Sequence, residues 1–264
     1  MQTRTVAITG ASSGIGLAAA ELFLNKGDRV YGLSRRPCPV DGVISIPVDI
    51  TDEAAVAVAI SDIVSETGGL DVLVCNAGFG ISGAVEFTDM AEAKRQFDVN
   101  FFGAAACMKA ALTPMREKRR GCIIITSSVA GVLPIPFQAY YSATKAALDA
   151  LVLAAANEVR PYGIKICAVL PGDIRTGFTD ARAKDDGGSE AYGALTRSVA
   201  TMERDEKNGM PPSAIAKRMY ALSQKKHPKP LSSVGVKYKL FCTLSKALPT
   251  RLTNLIVGML YAKD

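Results

Sequence analysis

The chain is poor in the residues that form metal centres and nucleophilic triads. It has no tryptophan, and His227 is its one histidine in 264 residues. A zinc site built on histidine needs several imidazoles, and a Ser-His-Asp triad needs one beside a nucleophile. His227 lies instead in a Lys- and Pro-rich segment. We therefore expect neither a metal site nor a catalytic triad of this kind.

Cysteine and long apolar runs are also scarce. Six cysteines are scattered without a CxxC pair, and those at 75, 107, 122 and 167 lie in apolar runs. Buried, reduced thiols are expected, which is typical of a cytoplasmic protein. An apolar strand begins at Thr5, which leaves no room for a signal peptide, and no run of about 18 apolar residues predicts a spanning helix.

The net charge of +6 is concentrated near the end of the chain. Residues 225–264 hold eight lysines and arginines against Asp264 alone, so the rest of the chain is close to neutral. A basic body would indicate nucleic acid as a partner, and we expect none. A basic tail instead indicates that the charge serves whatever the tail itself contacts.

Short apolar runs rich in β-branched residues alternate with helical stretches. This alternation predicts an α/β fold over residues 1–235, a single Rossmann-type doubly wound parallel sheet with helices on both faces. Residues 236–264 are expected to form a helical C-terminal extension of the same domain. Strands are predicted over 5–9, 29–34, 43–48, 71–76, 122–127 and 165–170, and helices near 14, 53, 91, 140 and 211.

A glycine-rich turn at residues 9–16, TGASSGIG, follows the first predicted strand and opens a helix. Glycines let the backbone approach a pyrophosphate, and the helix N-terminus offers free N–H groups to it. In this context the turn predicts a dinucleotide site. The predicted contacts are Gly10, Ser12, Ser13, Gly14, Ile15 and Gly16.

The second strand ends at Ser34, Arg35 and Arg36. Sites specific for NAD usually place an acid there for the adenosine ribose, whereas two arginines suit a 2′-phosphate. The pair favours NADP (NADPH) over NAD, the alternative being that both arginines are solvated loop charges.

Tyr141 and Lys145 are four residues apart in a predicted helix and therefore share one face. An ammonium close to a phenol lowers the pKa of the phenol, which suits proton transfer to or from a carbinol oxygen. Tyrosine and lysine at this spacing are also common on solvated helix faces, so the pair needs other support.

That support comes from motifs in which residues 3–215 resemble the classical short-chain dehydrogenase/reductase family. Ser128 precedes Tyr141 by thirteen residues, and Asn100 falls where the family keeps an active-site asparagine. Residues 75–78, CNAG, resemble its NNAG motif with Cys75 in place of the first asparagine. The resemblance implies further cofactor contacts at Asp49, Ile50, Asn76, Ala77, Gly78, Pro171, Gly172, Ile174 and Thr176, beside Tyr141 and Lys145.

The resemblance also implies roles for the catalytic residues. Tyr141 acts as general acid or base, Lys145 lowers its pKa and holds the nicotinamide ribose, and Ser128 holds the substrate oxygen. Asn100 helps to hold a water that links Lys145 to solvent. The reaction is hydride transfer that interconverts a secondary alcohol and a ketone.

The substrate is expected to be a small apolar molecule. The segment 131–138 resembles the branch that holds hydroxysteroid and retinol dehydrogenases, which favours a steroid-like or other lipidic substrate. The expected contacts are Ser128, Leu133, Phe137, Tyr141 and Phe178. The alternatives are a carbonyl reductase of small or xenobiotic ketones and a non-catalytic NADP-sensing regulatory protein.

Four further segments carry three expectations. Two broadly apolar helices, around 97–112 and 146–156, predict a homodimer or homotetramer. Residues 173–215 are charged and glycine-containing and predict a mobile substrate lid or an ordinary surface excursion. In the tail, Pro249 should separate two amphipathic helices, which either lie on a membrane surface or pack on the domain or a partner subunit.

Overall fold

The computed structural model describes residues 3–185 and 187–262. Asp186, counted in the predicted lid, and Lys263 and Asp264, counted in the basic tail, lie outside the described residues. So do Met1 and Gln2 of the predicted domain.

The described residues form a central sheet of seven parallel strands with a small parallel pair beside it. The order in the sheet is β3-β2-β1-β4-β6-β7-β9, and β5 pairs with β8. The strands are β1 (Thr5–Thr9), β2 (Arg29–Ser34), β3 (Ile44–Pro47), β4 (Val72–Cys75), β5 (Ile81–Ser82), β6 (Gly121–Thr126), β7 (Ile164–Leu170), β8 (Ala183–Lys184) and β9 (Leu231–Ser233).

Helices cover both faces of the sheet because neighbouring residues of each strand point to opposite sides. In β4, for example, Leu73 joins one apolar core and Val74 joins the other. The helices are α1 (Gly14–Asn25), α2 (Glu53–Thr67), α3 (Met90–Phe97), α4 (Ala104–Glu117), α5 (Ala139–Glu158), α6 (Ala194–Lys207), α7 (Pro212–Gln224), α8 (Val236–Ala247) and α9 (Thr250–Tyr261).

The two cores explain why the strands read as continuous apolar runs. Side chains of α2, α4 and α5, such as Ile60, Cys107 and Val152, pack on one face of the sheet. Side chains of α1 and α7, such as Phe23 and Met219, pack on the other. Parallel sheets covered on both faces have this pattern, and the predicted fold class is confirmed.

The winding of the sheet reverses next to β1. From β1 the chain proceeds through β2 and β3 on one side and through β4, β6 and β7 on the other. A crevice opens at such a switch point beyond the carboxyl ends of the strands. The glycine-rich turn after β1 and the CNAG segment after β4 both lie there.

The segment after β7, predicted as a mobile lid or a surface excursion, contains β8 and the fourteen-residue helix α6. Its role as a lid stays a prediction. The charged run at 203–207 ends α6, and Glu206 in it accepts hydrogen bonds from Arg182 and Thr179. A charged run usually indicates exposure to solvent, but Glu206 in this run is hydrogen-bonded to residues more than twenty positions away in the chain.

The tail forms two helices separated at Pro249, as predicted. Proline at this position lacks the N–H that would continue the first helix. None of the helices in the described part of the chain is long and apolar enough to cross a membrane. The division into residues 1–235 and an extension stays a prediction.

Candidate active site

The glycine-rich turn is hydrogen-bonded to the loop after β4. Asn76 donates its backbone N–H to Thr9 Oγ1 at 2.9 Å and its side-chain amide to the Thr9 carbonyl at 3.3 Å. A Cβ on Gly16 would clash with the Gly10 carbonyl oxygen and would lie 2.6 Å from Asn76 Nδ2. Glycine at position 16 therefore lets the first turn of α1 sit against this loop.

Gly10 and Gly14 have positive φ angles of 67° and 56°. Glycine adopts this region without strain, so the backbone can turn sharply into α1. Ser12, Ser13 and Ile15 then line the crevice at the helix N-terminus, where N–H groups are free to bind an anion. The turn fits the pyrophosphate of a dinucleotide.

The far end of the crevice carries the polar residues expected at the adenosine. Ser34 donates its hydroxyl to the Arg36 carbonyl at 2.6 Å, and Arg35 and Arg36 are exposed. The backbone N–H and hydroxyl of Thr51 bind Asp49 at 3.0 and 2.8 Å. These hydrogen bonds, followed by the charge of Arg35, lower the pKa of Asp49 against its partial burial.

Helix α5 places Tyr141 and Lys145 on one face toward the crevice. The Lys145 Nζ lies 5.6 Å from the centre of the Tyr141 ring and donates to the Thr126 carbonyl at 2.8 Å. Ser128 lies after β6, where its hydroxyl accepts from the Ala130 N–H at 3.1 Å. The structure thus brings together three residues that the sequence separates by up to seventeen positions.

The electrostatics of this cluster differ from the sequence expectation. Burial raises the pKa of Tyr141 to about 12, and the hydrogen bond with Ser128 opposes this rise. Burial lowers the pKa of Lys145 to about 8, against the charge of Asp149. Both residues lie in the described part of the chain, and the expected lowering of the Tyr141 pKa by Lys145 is not found there. Desolvation is the largest influence on the pKa of each group.

Asn100 lies behind the crevice rather than in its wall. It sits in a π-helical segment, Asp98–Gly103, between α3 and α4. Its side chain accepts from the Phe79 N–H and donates to the Phe79 carbonyl, both at 3.0 Å, and donates to Thr144 Oγ1 at 3.2 Å. Asn100 therefore holds the loop after β4 against α5, and its role toward a water stays a prediction.

The crevice is a cavity of about 890 Å³ that collects most of the predicted site. Of the predicted residues, Gly16, Asn100 and Phe137 lie outside its lining. The Phe137 ring packs 6.3 Å from that of Tyr192, and its carbonyl accepts from Gly83. The predicted residues in the lining are Gly10, Ser12, Ser13, Gly14, Ile15, Ser34, Arg35, Arg36, Asp49, Ile50, Asn76, Ala77, Gly78, Ser128, Leu133, Tyr141, Lys145, Pro171, Gly172, Ile174, Thr176 and Phe178.

Sequence reasoning missed the contribution of the tail to this cavity. Side chains of α8 and α9 line it, and Tyr238 donates its hydroxyl to Asp173. A Cβ on Gly172 would overlap the Tyr238 ring, so this glycine makes room for α8. The glycine and the tail aromatics are visible in the sequence, but their contact is not. The lining residues of the tail are Lys237, Tyr238, Phe241, Val257, Leu260 and Tyr261.

A buried charge pair next to Tyr141 was also missed. The Arg182 side chain is fully buried and pairs with Glu206, which lines the cavity. The charge of Glu206 raises the pKa of Tyr141 and that of Arg182 lowers it, both less strongly than burial. The Phe178 ring, 5.7 Å from the Tyr141 ring, completes this wall.

Comparisons with known proteins agree with this geometry. The model of the short chain dehydrogenase family matches residues 4–187. A 3-ketodihydrosphingosine reductase from Bacteroides thetaiotaomicron is 39% identical over 99% of both chains. Dehydrogenase/reductase SDR family member 7B from Xenopus tropicalis is 31% identical over 76% of this chain and 70% of its own.

Solved structures show the same fold. A short-chain dehydrogenase from Streptomyces avermitilis superposes with a TM-score of 0.86, at 30% identity over 98% of this chain and 96% of its own. The protein ElxO with NADP bound has a TM-score of 0.75, at 28% identity over 90% of this chain and all of its own.

The chain belongs to the short-chain dehydrogenase/reductase family, and the predicted family is confirmed. It is an oxidoreductase that acts on CH–OH groups. A nicotinamide dinucleotide fits the described residues, because the glycine turn admits a pyrophosphate and the cavity continues from it to Tyr141.

Proposed function

We propose that the protein reduces the ketone of a long-chain 2-amino-3-ketone, of the 3-ketodihydrosphingosine class, with NADPH. The observation that carries the proposal is the apolar wall that α8 and α9 add to the cavity beyond Tyr141. A relative that is 39% identical from end to end carries the name of this reaction. The proposal narrows the lipidic substrate expected from the sequence.

The wall suits an alkyl chain. Leu133 and Phe178 line the cavity, with the Phe178 ring 5.7 Å from that of Tyr141, and Phe241, Val257 and Leu260 add apolar lining from the tail helices. Burial of a methylene group contributes about 0.8 kcal/mol. A long chain therefore gains substantial binding energy here, whereas a small ketone gains little.

Two carboxylates in the cavity lining suit the substrate's ammonium group. Glu206 and Asp173 both line the cavity, where Arg182 pairs with Glu206 and Lys237 is a further lining residue. Burial raises the pKa of Tyr261 to about 12, and the charges of these two carboxylates add to the rise. A cationic amine next to the ketone can donate charge-assisted hydrogen bonds to such carboxylates.

The chain's own residues supply the groups that reduction of a ketone requires. With a pKa of about 12, Tyr141 is protonated at neutral pH and can donate its proton to the carbonyl oxygen. Ser128 would hold that oxygen and stabilise the charge that develops on it. A nicotinamide cofactor, when bound, supplies the hydride.

NADPH is proposed over NADH on the basis of Arg35 and Arg36. Both side chains are exposed at the end of β2, where Ser34 stands in place of an acid. A guanidinium binds a phosphate with two parallel hydrogen bonds. The related ElxO, solved with NADP, supports the same choice.

Steady-state kinetics with 3-ketodihydrosphingosine, a steroid ketone and a small aliphatic ketone test the proposal. We expect 3-ketodihydrosphingosine to have the highest kcat/KM, and shortened analogues to lose about fourfold for each methylene removed from the buried part. Equal or better turnover of the small ketone would instead indicate a general carbonyl reductase. A preference for the steroid would instead favour the steroid-like substrate that the family resemblance implied.

Two further expectations remain proposals. The exposed apolar residues Phe102 and Leu153, near the start of α4 and on α5, support a homodimer or homotetramer through these helices. Light scattering of a Leu153→Glu variant tests this. Six free cysteines support a reducing, cytoplasmic location, which fractionation of the cell would test.

A further inference from the structure

The outer faces of the two tail helices expose an apolar surface. In α8 the exposed residues recur one helical turn apart, and in α9 they form a stripe at spacings of three and four. The opposite faces pack on the domain through buried Cys242 and Val257. We call the exposed residues the tail surface: Val236, Leu240, Phe241, Leu244, Leu252, Leu255, Ile256, Met259 and Leu260.

We propose that the tail surface docks on an anionic lipid membrane and opens the substrate cavity toward it. Isolated exposed apolar side chains need no explanation, but nine of them within residues 236–260 are a concentration of the kind that marks an interaction surface. This inference uses the proposed function only for the substrate that would enter.

Charge indicates which partner the surface fits. Residues 236–262 contain four cations and no aspartate or glutamate. Amphipathic helices with lysine and arginine beside an apolar face bind anionic headgroups while the apolar face enters the acyl boundary. A second copy meeting this surface across a two-fold axis would bring cations against cations. The cations are Lys237, Lys239, Lys246 and Arg251.

The position of the cavity gives the docking a purpose. Phe241 and Leu260 belong to the tail surface and also line the cavity. These two side chains therefore have surface both toward the cavity that holds Tyr141 and toward the outer face of the helices. They bring the cavity next to the docked membrane, so that a long-chain ketone could enter at the tail helices.

Vesicle co-sedimentation of the full chain tests the docking without any substrate. We expect wild type to sediment with phosphatidylglycerol–phosphatidylcholine vesicles, less so in high salt, and weakly with phosphatidylcholine alone. The variant Leu244→Glu/Leu255→Glu should lose more than about tenfold in affinity, since each carboxylate replaces a buried apolar contact. Replacing Lys239, Lys246 and Arg251 by glutamine should lose about 100-fold, or about fivefold per cation.

Val58→Glu is the matched control, since Val58 on α2 is 59% exposed, like Leu255 at 58%, and does not belong to the tail surface. It should bind vesicles like wild type. Failure of wild type to bind, or equal binding by the Leu244→Glu/Leu255→Glu variant, would overturn the proposal. Light scattering that shows a dimer dissociated by this variant, without vesicle binding, would assign the tail surface to a second copy.

A kinetic assay separates this proposal from the proposed function. Leu244 and Leu255 lie outside the cavity lining, so their glutamate variant should turn over a short, water-soluble ketone like wild type. With a long-chain ketone presented in anionic vesicles, the variant should show a raised apparent KM. Loss of activity on both would indicate misfolding, which a circular dichroism melt would detect, and equal activity on both would overturn the docking.

Discussion

Removing the phenol oxygen of Tyr141 is the sharpest test of the catalytic assignment. In Tyr141→Phe the ring keeps its place 5.7 Å from the Phe178 ring, so packing should persist. Loss of the phenol's interaction with Ser128 should change the free energy of unfolding by about 1 kcal/mol or less. Loss of a general acid should lower kcat by about 100- to 10,000-fold, or about 3–6 kcal/mol in the barrier.

Cofactor binding should survive this change. Lys145 is held by the Thr126 carbonyl at 2.8 Å, independently of the phenol. Stopped-flow turnover gives the rate, and NADPH fluorescence titration gives the cofactor affinity.

Tyr140→Phe is the control for this experiment, because the Tyr140 hydroxyl faces Met90 Sδ at 3.6 Å rather than the cavity. We expect it to keep kcat within about twofold, as for an ordinary surface change. A Tyr141→Phe enzyme with more than about a tenth of wild-type kcat would refute the role of Tyr141, since so small an effect is less than general acid catalysis contributes.

Three further predictions address the tail, the cofactor and pH. Gly172→Ala should lower the free energy of unfolding, measured by denaturant titration, by about 1–3 kcal/mol because the added Cβ overlaps the Tyr238 ring. The same substitution made in a Tyr238→Ala variant should cost almost nothing. An equal cost in both proteins would contradict the packing of α8. Alanine at both Arg35 and Arg36 should raise the KM for NADPH at least about tenfold and leave the KM for NADH unchanged. Steady-state kinetics in which the two KM values rise equally would count against a phosphate site. Lys145 has a folded pKa of about 8, below its unfolded value of 10.5, so the unfolded state binds more protons between these values. Stability should therefore rise with pH across that window by up to about 3 kcal/mol, a rise that urea titrations should not find in Lys145→Met; parallel curves would disprove the shift.

The sheet and the glycine turn are predictable because their causes are local. Strands buried on both faces must be apolar throughout, and the turn after β1 needs glycine at positions 10, 14 and 16. The helix break at Pro249 is likewise local. Helix α6 was missed because its charged end, including Glu206, resembles a solvated run. Arg182, the partner of Glu206, lies twenty-four residues earlier in the chain. Sequence periodicity therefore does not reveal the pair.

The chain's sequence by itself determined the family, the fold and which tyrosine, lysine and serine come together in the cavity, since these follow from short motifs at defined spacings. Tertiary structure alone decided three things. Burial raises the pKa of Tyr141 and lowers that of Lys145, and burial depends on everything packed around α5. The seating of Tyr238 on Gly172 brings the tail into the cavity. The same packing decides which face of α8 and α9 stays exposed, because an amphipathic pattern shows that a face is apolar but not what covers it.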